Sequence, residues 1–212
     1  MILTRMHLNP QRRGARKLVS SPQAMHAAVL SGFPPTVDAG RVLWRLDGAA
    51  GRHPVLWIGS QFPPDLAHLE EQAGWPSNPT TRSASLDGLL TALSPDQQWA
   101  FRITVNPTHR ADHGGRKKVL AHVTVDQQTQ WLLDRQDRLG CSLVDADGAP
   151  TFTLEGRDVK QFRREEGRVT LATATFGGLL SVQDPDRLRE VVTQGLGRGK
   201  AYGCGLLTLA RP

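Results

Sequence analysis

Cysteine is nearly missing from this sequence: Cys141 and Cys204 stand alone. Two isolated thiols build neither a disulfide framework nor a zinc site, and they fit a reducing compartment. No apolar run approaches the length of a membrane span. Arg5, Arg12 and Arg13 interrupt the only apolar stretch near the start, so no secretory signal is expected. Tyrosine occurs once, as Tyr202, and aromatic residues make up 6% of the chain. The aromatic pattern with which some sheets stack single-stranded bases is absent. Acids are missing from the start of the chain, where the first is Asp38. Neither a residue-level repeat nor a low-complexity tract is present.

What is there suffices for a packed core. Of the 212 residues, 39% are hydrophobic and 22% charged, enough for one large domain or two small ones. Residues 2–8 alternate as a strand does. "SSPQAMHAAVLSGF" has Ser21 as N-cap, Pro22 at the first helical position and Gly32 near the C-cap. "RVLWRLDG" and "HPVLWIGS" read as two strands, and "PPDLAHLEEQAG" as a short helix. "GWPSNPTTRSAS" reads as a loop and "QWAFRITVNP" as a strand. The order is β-α-β-β-α-β. The second half repeats it. A helix over 124–140 turns Trp131, Leu132 and Leu139 inward. Two β segments follow, around 150–156 and 168–176, with a charged connection between them. The last helix is capped by Asp184 before Pro185, and "CGLLTLA" is the last strand. The expected class is α+β, with two tandem ferredoxin-like (RRM-like) domains: 1–93 carrying a histidine helix, 94–212 carrying a glycine-rich loop. The boundary lies within 88–100, because "QWAFRITVNP" can close the first sheet or open the second.

The glycine-rich stretch is "TQGLGRGKAYGCGLLTL", residues 193–209. A Walker A or Rossmann loop needs strand, loop, then helix. Here the loop follows a helix and precedes a strand, and both spacings are wrong, so nucleotide capture is not expected. Two readings stay open. The glycines can serve only a tight helix-to-strand turn. Alternatively Gly197 and Gly199 let backbone N–H groups, with Arg198 and Lys200, line a groove for a polynucleotide backbone.

Other cations cluster, and the net charge is +6. Arg12, Arg13, Arg16 and Lys17 form one group; Arg110, Arg116, Lys117 and Lys118 a second; Arg157, Lys160, Arg163, Arg164 and Arg168 a third. Each alone reads as a solvated surface, and Glu165 and Glu166 can neutralise Arg163 and Arg164. Three groups plus the glycine loop point to nucleic acid. Without a stacking platform, a folded backbone such as a hairpin is the expected target. The seven histidines show no metal-binding spacing. His109 and His113 are four apart, but in a glycine-containing loop where that spacing has no helical meaning.

Three segments resemble the CasE family, the CRISPR RNA-processing endoribonucleases of type I-E systems. They are "HLNPQRRGARKLVSSPQAMHAAVLSGFP", "FRITVNPTHRADHGGRKKVLAHVT" and, most specific, "QGLGRGKAYGCGLLTL". The resemblance spans nearly the whole chain. It implies two ferredoxin-like domains, cleavage of the repeat hairpin in the CRISPR transcript, and retention of the product in the Cascade complex. The implied partners are the repeat hairpin RNA and other Cascade subunits, with neither membrane nor cofactor nor metal, and the free protein is expected to be a cytoplasmic monomer. RNA can be cut by its own 2′-hydroxyl if a base takes its proton and an acid protonates the leaving oxygen, and histidine suits both transfers. The resemblance gives His26 the active-site position. On a helix it shares a face with Gln23 and Leu30, beside a core stripe of Met25 and Val29. Gln23 stands where some members have a tyrosine; it cannot ionise but can position a hydroxyl or phosphate. Arg16, Lys17 or a loop cation would offset the charge of the pentavalent phosphorus; Tyr202, in the glycine loop, can approach the site, though packing at the start of the last strand is the commoner role for such a residue. The departure at Gln23 keeps a second reading in view, a catalytically idle RNA-binding subunit that caps the guide RNA.

Overall fold

The structure, a computed structural model, describes residues 1–36, 38–48, 53–164 and 167–212. The chain forms two compact units: Met1–Ala92 with Lys200–Leu206, and Leu93–Gly199 with Leu207–Pro212. The glycine-rich segment is thus divided, its second part packing within the first unit.

The first unit runs β1 (Ile2–His7), α1 (Arg13–Ser20), α2 (Pro22–Leu30), β2 (Leu43–Asp47), β3 (Val55–Ser60), α3 (Ala67–Ala73), β4 (Arg82–Ser85) and α4 (Asp87–Thr91). The strands pair antiparallel in the order β2-β3-β1-β4, the ferredoxin-like arrangement. Met6, Leu56 and Ile58 alternate along the two central strands and bury against Leu18, Met25, Val29 and Leu69 of the helices. The first cation group proves to be α1. It has neither a side-chain N-cap bond nor an acid in its first turn, and buries Ala15 and Leu18, three apart. A two-residue apolar stripe inside an arginine-rich run carries little helical signal.

The stretch expected as a loop contains β4, the strand that closes the first sheet. Its entry is organised by Glu70, a buried carboxylate on α3. Glu70 accepts hydrogen bonds from the backbone N–H of Trp75 (3.3 Å), Thr80 and Thr81 (2.8 Å each) and from the Thr81 hydroxyl (2.7 Å). Burial alone would raise its pKa. The bonds from Thr81, Thr80 and Trp75 outweigh that and hold it below the ordinary value.

The second unit runs β5 (Gln98–Val105), β6 (Thr108–His113), β7 (Arg116–Ala121), α5 (Val125–Leu133), α6 (Gln136–Leu139), β8 (Cys141–Ser142), β9 (Phe152–Arg164), β10 (Gly167–Val182), α7 (Pro185–Gln194) and β11 (Leu207–Ala210). "QWAFRITVNP" opens this sheet as β5. The order is β11-β5-β10, with β8 and β9 both on the far side of β10, so the ferredoxin-like pattern recurs with its second strand split. The β6–β7 hairpin is an insertion after β5. It takes up the second cation group, and His109 and His113 lie on a strand, not in a loop.

Two more elements differ from the sequence reading. The charged connection after residue 156 is itself strand, because β9 continues to Arg164 in register with β10. A bulge leaves Glu155 opposite no residue of β10, and its carboxylate lies 2.7 Å from Arg102. Glu165 and Glu166 lie outside the described residues. The helix over 124–140 is two helices. A capping box at Thr124 and Gln127 starts α5. The carbonyl of Trp131 then accepts from the Arg135 guanidinium (2.5 Å), while the Arg135 N–H turns to Leu132 (3.0 Å), so the regular ladder stops.

Because Glu70 holds a lowered pKa in the fold, its contribution is present above the ordinary carboxylate value of 4.5 and is lost as pH falls through the folded-state pKa. Glu70→Gln should therefore destabilise the protein at neutral pH by about 1–3 kcal/mol, as charge-assisted bonds to a buried carboxylate disappear. Urea unfolding of the two proteins should differ at pH 7 and converge in acid. Curves that stay equally separated in acid would show that charge is not involved.

Candidate functional site

Helix α2 starts as its sequence directs. Ser21 Oγ accepts from the Ala24 N–H (3.2 Å), and Pro22 takes the first position. Met25 and Val29 are fully buried and fix the rotation of the helix. His26, next to that stripe, is half-buried. Its Nδ1 is enclosed and meets no hydrogen-bond partner among the described residues. Burial lowers its pKa below 6.5, because the imidazolium loses solvation with no nearby anion to offset the loss. The imidazole is therefore neutral at pH 7, in the form that accepts a proton. Gln23 lies nearly one turn earlier on α2, also half-buried.

Against α2 and β2 packs a 3-10 turn, Lys200–Tyr202, from the glycine-rich segment. Two adjacent residues of β2 hold the chain that follows. The ring of Trp44 lies under Gly203: a Cβ there would fall 2.7 Å from Trp44 Cζ3, at a φ of +84°. The Arg45 guanidinium, 2% exposed, donates to the Leu206 carbonyl (3.0 Å) and pairs with Asp47 (2.8 Å). Neighbouring strand residues face opposite sides of a sheet. As β2 is an edge strand, residues 203–206 wrap around that edge and cover it. The outcome is that Lys200 and Tyr202 are brought to the helix of His26.

The glycines answer to backbone geometry. Gly195, Gly197, Gly199, Gly203 and Gly205 all have φ between +75° and +92°, the region other residues avoid. The turn reading of the loop is thus true, and it leaves the cations to be placed. Lys200 belongs to the first unit, whereas Gly197, Arg198 and Gly199 belong to the second, where Arg198 is exposed and bridges Asn106 through its backbone.

Of the other expected RNA-binding residues, Arg13, Arg16 and Lys17 are exposed on α1. Arg16 donates to the Gln11 carbonyl (2.7 Å), and Arg12 at the N-cap donates to that of Gly74 (3.4 Å). Lys117 and Lys118 are exposed on β7, where Arg116 begins the strand. Arg157 is exposed on β9 and donates to the Val123 carbonyl; Lys160 lies 3.6 Å from Asp158. Arg163 and Arg164 end β9, and their side chains lie outside the described residues. No group of three or more His, Cys, Asp and Glu residues among the described ones could hold a metal ion. No helix among them is long and apolar enough to cross a membrane. Sequence reasoning missed Trp44 and Arg45, which it counted as strand residues, and Arg135 and Arg138, whose spacing of three within an amphipathic helix was the available signal.

Two ferredoxin-like units, one bearing a neutral, enclosed histidine beside a turn of a glycine-rich segment, define a narrow class. A family model described as CRISPR associated protein matches residues 1–211. The CRISPR-associated endoribonuclease Cse3 of Thermus thermophilus is 31% identical, across 99% of this chain and 100% of its own. A structure of CRISPR endoribonuclease Cse3 bound to a 19 nt RNA aligns with a TM-score of 0.83 and 29% identity, covering 99% of this chain and 100% of that one. Thermus thermophilus Cse3 bound to an RNA representing a pre-cleavage complex gives 0.82 and 30%, over 99% and 98%. Cas6e from Escherichia coli str. K-12, at 18% identity and a TM-score of 0.62 over the full length of both chains, shares the fold. The chain belongs to the CRISPR-associated protein family.

Gly203→Ala should push the segment off Trp44 and destabilise the protein by about 1–3 kcal/mol, as overpacking does. Thermal unfolding checks this, and an unchanged midpoint would mean that the packing gives way without cost.

Proposed function

We propose that this protein is the endoribonuclease of a CRISPR system: it cuts the repeat hairpin of the precursor RNA and stays with the product in the Cascade complex. The observation that carries the reading is His26, neutral and enclosed on α2 beside the 3-10 turn, in a chain of this family. The relatives named as endoribonucleases, two of them in structures with RNA, support it.

The chemistry needs only the RNA and side chains. A base takes the 2′-hydroxyl proton, the oxygen attacks the adjacent phosphorus, and the 5′-oxygen leaves with a proton. The products are a 2′,3′-cyclic phosphate and a 5′-hydroxyl. Neutral His26 accepts the first proton. Gln23 orients the hydroxyl or a phosphate oxygen by hydrogen bonding. Negative charge gathers on the equatorial oxygens as phosphorus becomes five-coordinate. Lys200, on the turn packed against α2, is the cation best placed to stabilise it, with Arg16 and Lys17 as further candidates. Cleavage chemistry belongs to 1–93 together with Lys200 of the glycine-rich segment, and the rest of 94–212 supplies the stem-binding surface, including Lys117, Lys118, Arg157, Lys160, Arg163 and Arg164. The reaction takes place in the cytoplasm. One observation favours a second reading: Gln23 cannot ionise, as would suit a subunit that binds the hairpin without cutting it.

Repeat RNA incubated with protein and excess EDTA separates the two. Specific cleavage to a cyclic phosphate supports the nuclease, and tight binding without cleavage supports the cap. His26→Ala should abolish single-turnover cleavage and leave affinity nearly unchanged, while Gln23→Ala should cost about tenfold, as a positioning group does. Equal losses would reverse the assigned roles. With His26 as base, acidifying from neutral pH should leave the rate steady past 6.5 and lower it only as pH drops through the depressed pKa. A rate that instead falls as pH rises from there would make His26 the acid.

The glycine-rich segment should grip the RNA backbone. Alanine at both Arg198 and Lys200 should flatten the log–log salt dependence of hairpin affinity by up to about two units, roughly one for each phosphate no longer neutralised. The flattening should be the same for unrelated hairpins, since backbone recognition carries no base code. Parallel slopes would leave the segment only a turn.

A further inference from the structure

The second unit contains a cavity of about 270 Å³ whose lining includes none of the residues assigned to cleavage. Arg110, Arg135, Arg138, Arg198, His109 and Trp131 line it, along with small and apolar neighbours, and no carboxylate among the described residues does. Four guanidinium groups in so small a space repel one another, and proteins normally place acids among them. Here the acids are elsewhere. The ion pairs of the described residues use Arg45, Arg102, Lys160, Arg187 and Arg189, and none of the four lining arginines.

The cavity is built, not merely charged. Arg135 lies over the Trp131 indole, its guanidinium carbon 3.5 Å from the ring centroid, and spends one donor on the Trp131 carbonyl. That bond is the one that ends α5. Trp131 is 4% exposed, and its Nε1 donates to the Thr108 carbonyl (3.2 Å), which ties the floor to β6. Gly197 completes the wall because a Cβ there would come within 3.2 Å of the indole. Burial makes the Arg135 charge less favourable, Arg138 adds to the effect and Asp134 partly offsets it. A multiply hydrogen-bonding anion would relieve this crowding of charge, and planar guanidinium forks match the tetrahedral oxygens of phosphate.

We propose that this cavity is a second anchor for the RNA, holding one phosphodiester group of the bound strand other than the scissile one. The proposal rests on the RNA reading given above. The size admits a phosphate with its sugar and excludes a duplex. The Gly197–Arg198 backbone at its rim links it to the glycine-rich segment. Arg110 and Arg138, both exposed, grip from the mouth, and Arg135 on its indole platform from the floor.

The test uses the full chain, repeat hairpin RNA and a salt series. Arg110→Ala with Arg138→Ala should weaken hairpin affinity about tenfold at moderate salt and flatten the log–log slope by about 0.8, the share of a single neutralised phosphate. Arg110→Lys with Arg138→Lys keeps the charge and should retain the wild-type slope. Parallel slopes for the alanine variant, with wild-type protein binding and cutting normally, would overturn the anchor alone. Failure of the wild type to bind the hairpin would overturn the RNA reading itself. Binding of inorganic phosphate or adenosine 5′-monophosphate that depends on Arg110 and Arg138, with no change in the RNA slope, would make the cavity a free-anion site and refute the proposal.

Discussion

The buried guanidinium of Arg45 is the constraint on which the site depends. It lies on an edge strand, neutralised by Asp47 two residues on, and its remaining donors reach the carbonyl of Leu206. A guanidinium enclosed this fully must find such partners, because an unpaired charge away from water costs several kcal/mol. Meeting that need fixes a segment far along the chain. With Trp44 under Gly203, two neighbouring side chains of one strand set the path of residues 203–206, and so the place of Lys200 and Tyr202 beside α2. Arg45 is buried, yet the turn that packs against the helix of His26 is held in place through it.

The chemistry that follows is a matter of matching charge states. A lowered imidazole pKa keeps His26 ready to take a proton at neutral pH. Transesterification within RNA supplies its own nucleophile, so the protein's part is to bend the strand into line and to meet charge where it appears. The proposed division of labour between the units follows from this. One presents the imidazole and the turn; the other presents arginines and lysines spread over a sheet, a hairpin and a cavity.

The sequence foretold the architecture because its signals were local. Ser21–Pro22 and Asp184–Pro185 marked helix starts that the structure reproduces, with the cap bonds in place. Alternation marked the central strands. The misses turn on partners that local patterning does not reveal. Arg82 to Ser85 have no apolar alternation and become strand only through pairing with β1 and the bonds Glu70 makes upstream. The cations of 157–164 looked like a solvated connection because β10, which extends them into strand, lies across the turn. In the helix after Thr124 nothing predicted the break, since it arises where a side chain claims a backbone acceptor. His26 was legible as a candidate only through the family resemblance. Its enclosure, and the turn beside it, required the fold.

The division of the glycine-rich segment has a consequence in time. Domains tend to fold in the order in which they emerge from the ribosome. The first unit can collapse early around β1, β3 and its helices, yet the piece that covers the β2 edge and sets Lys200 beside α2 is translated only after the whole body of the second unit. Until then the nascent chain carries its histidine without the turn that flanks it. On the proposed reading, the residues assigned to cleavage are therefore brought together last, when almost all of the cations assigned to RNA have already been made.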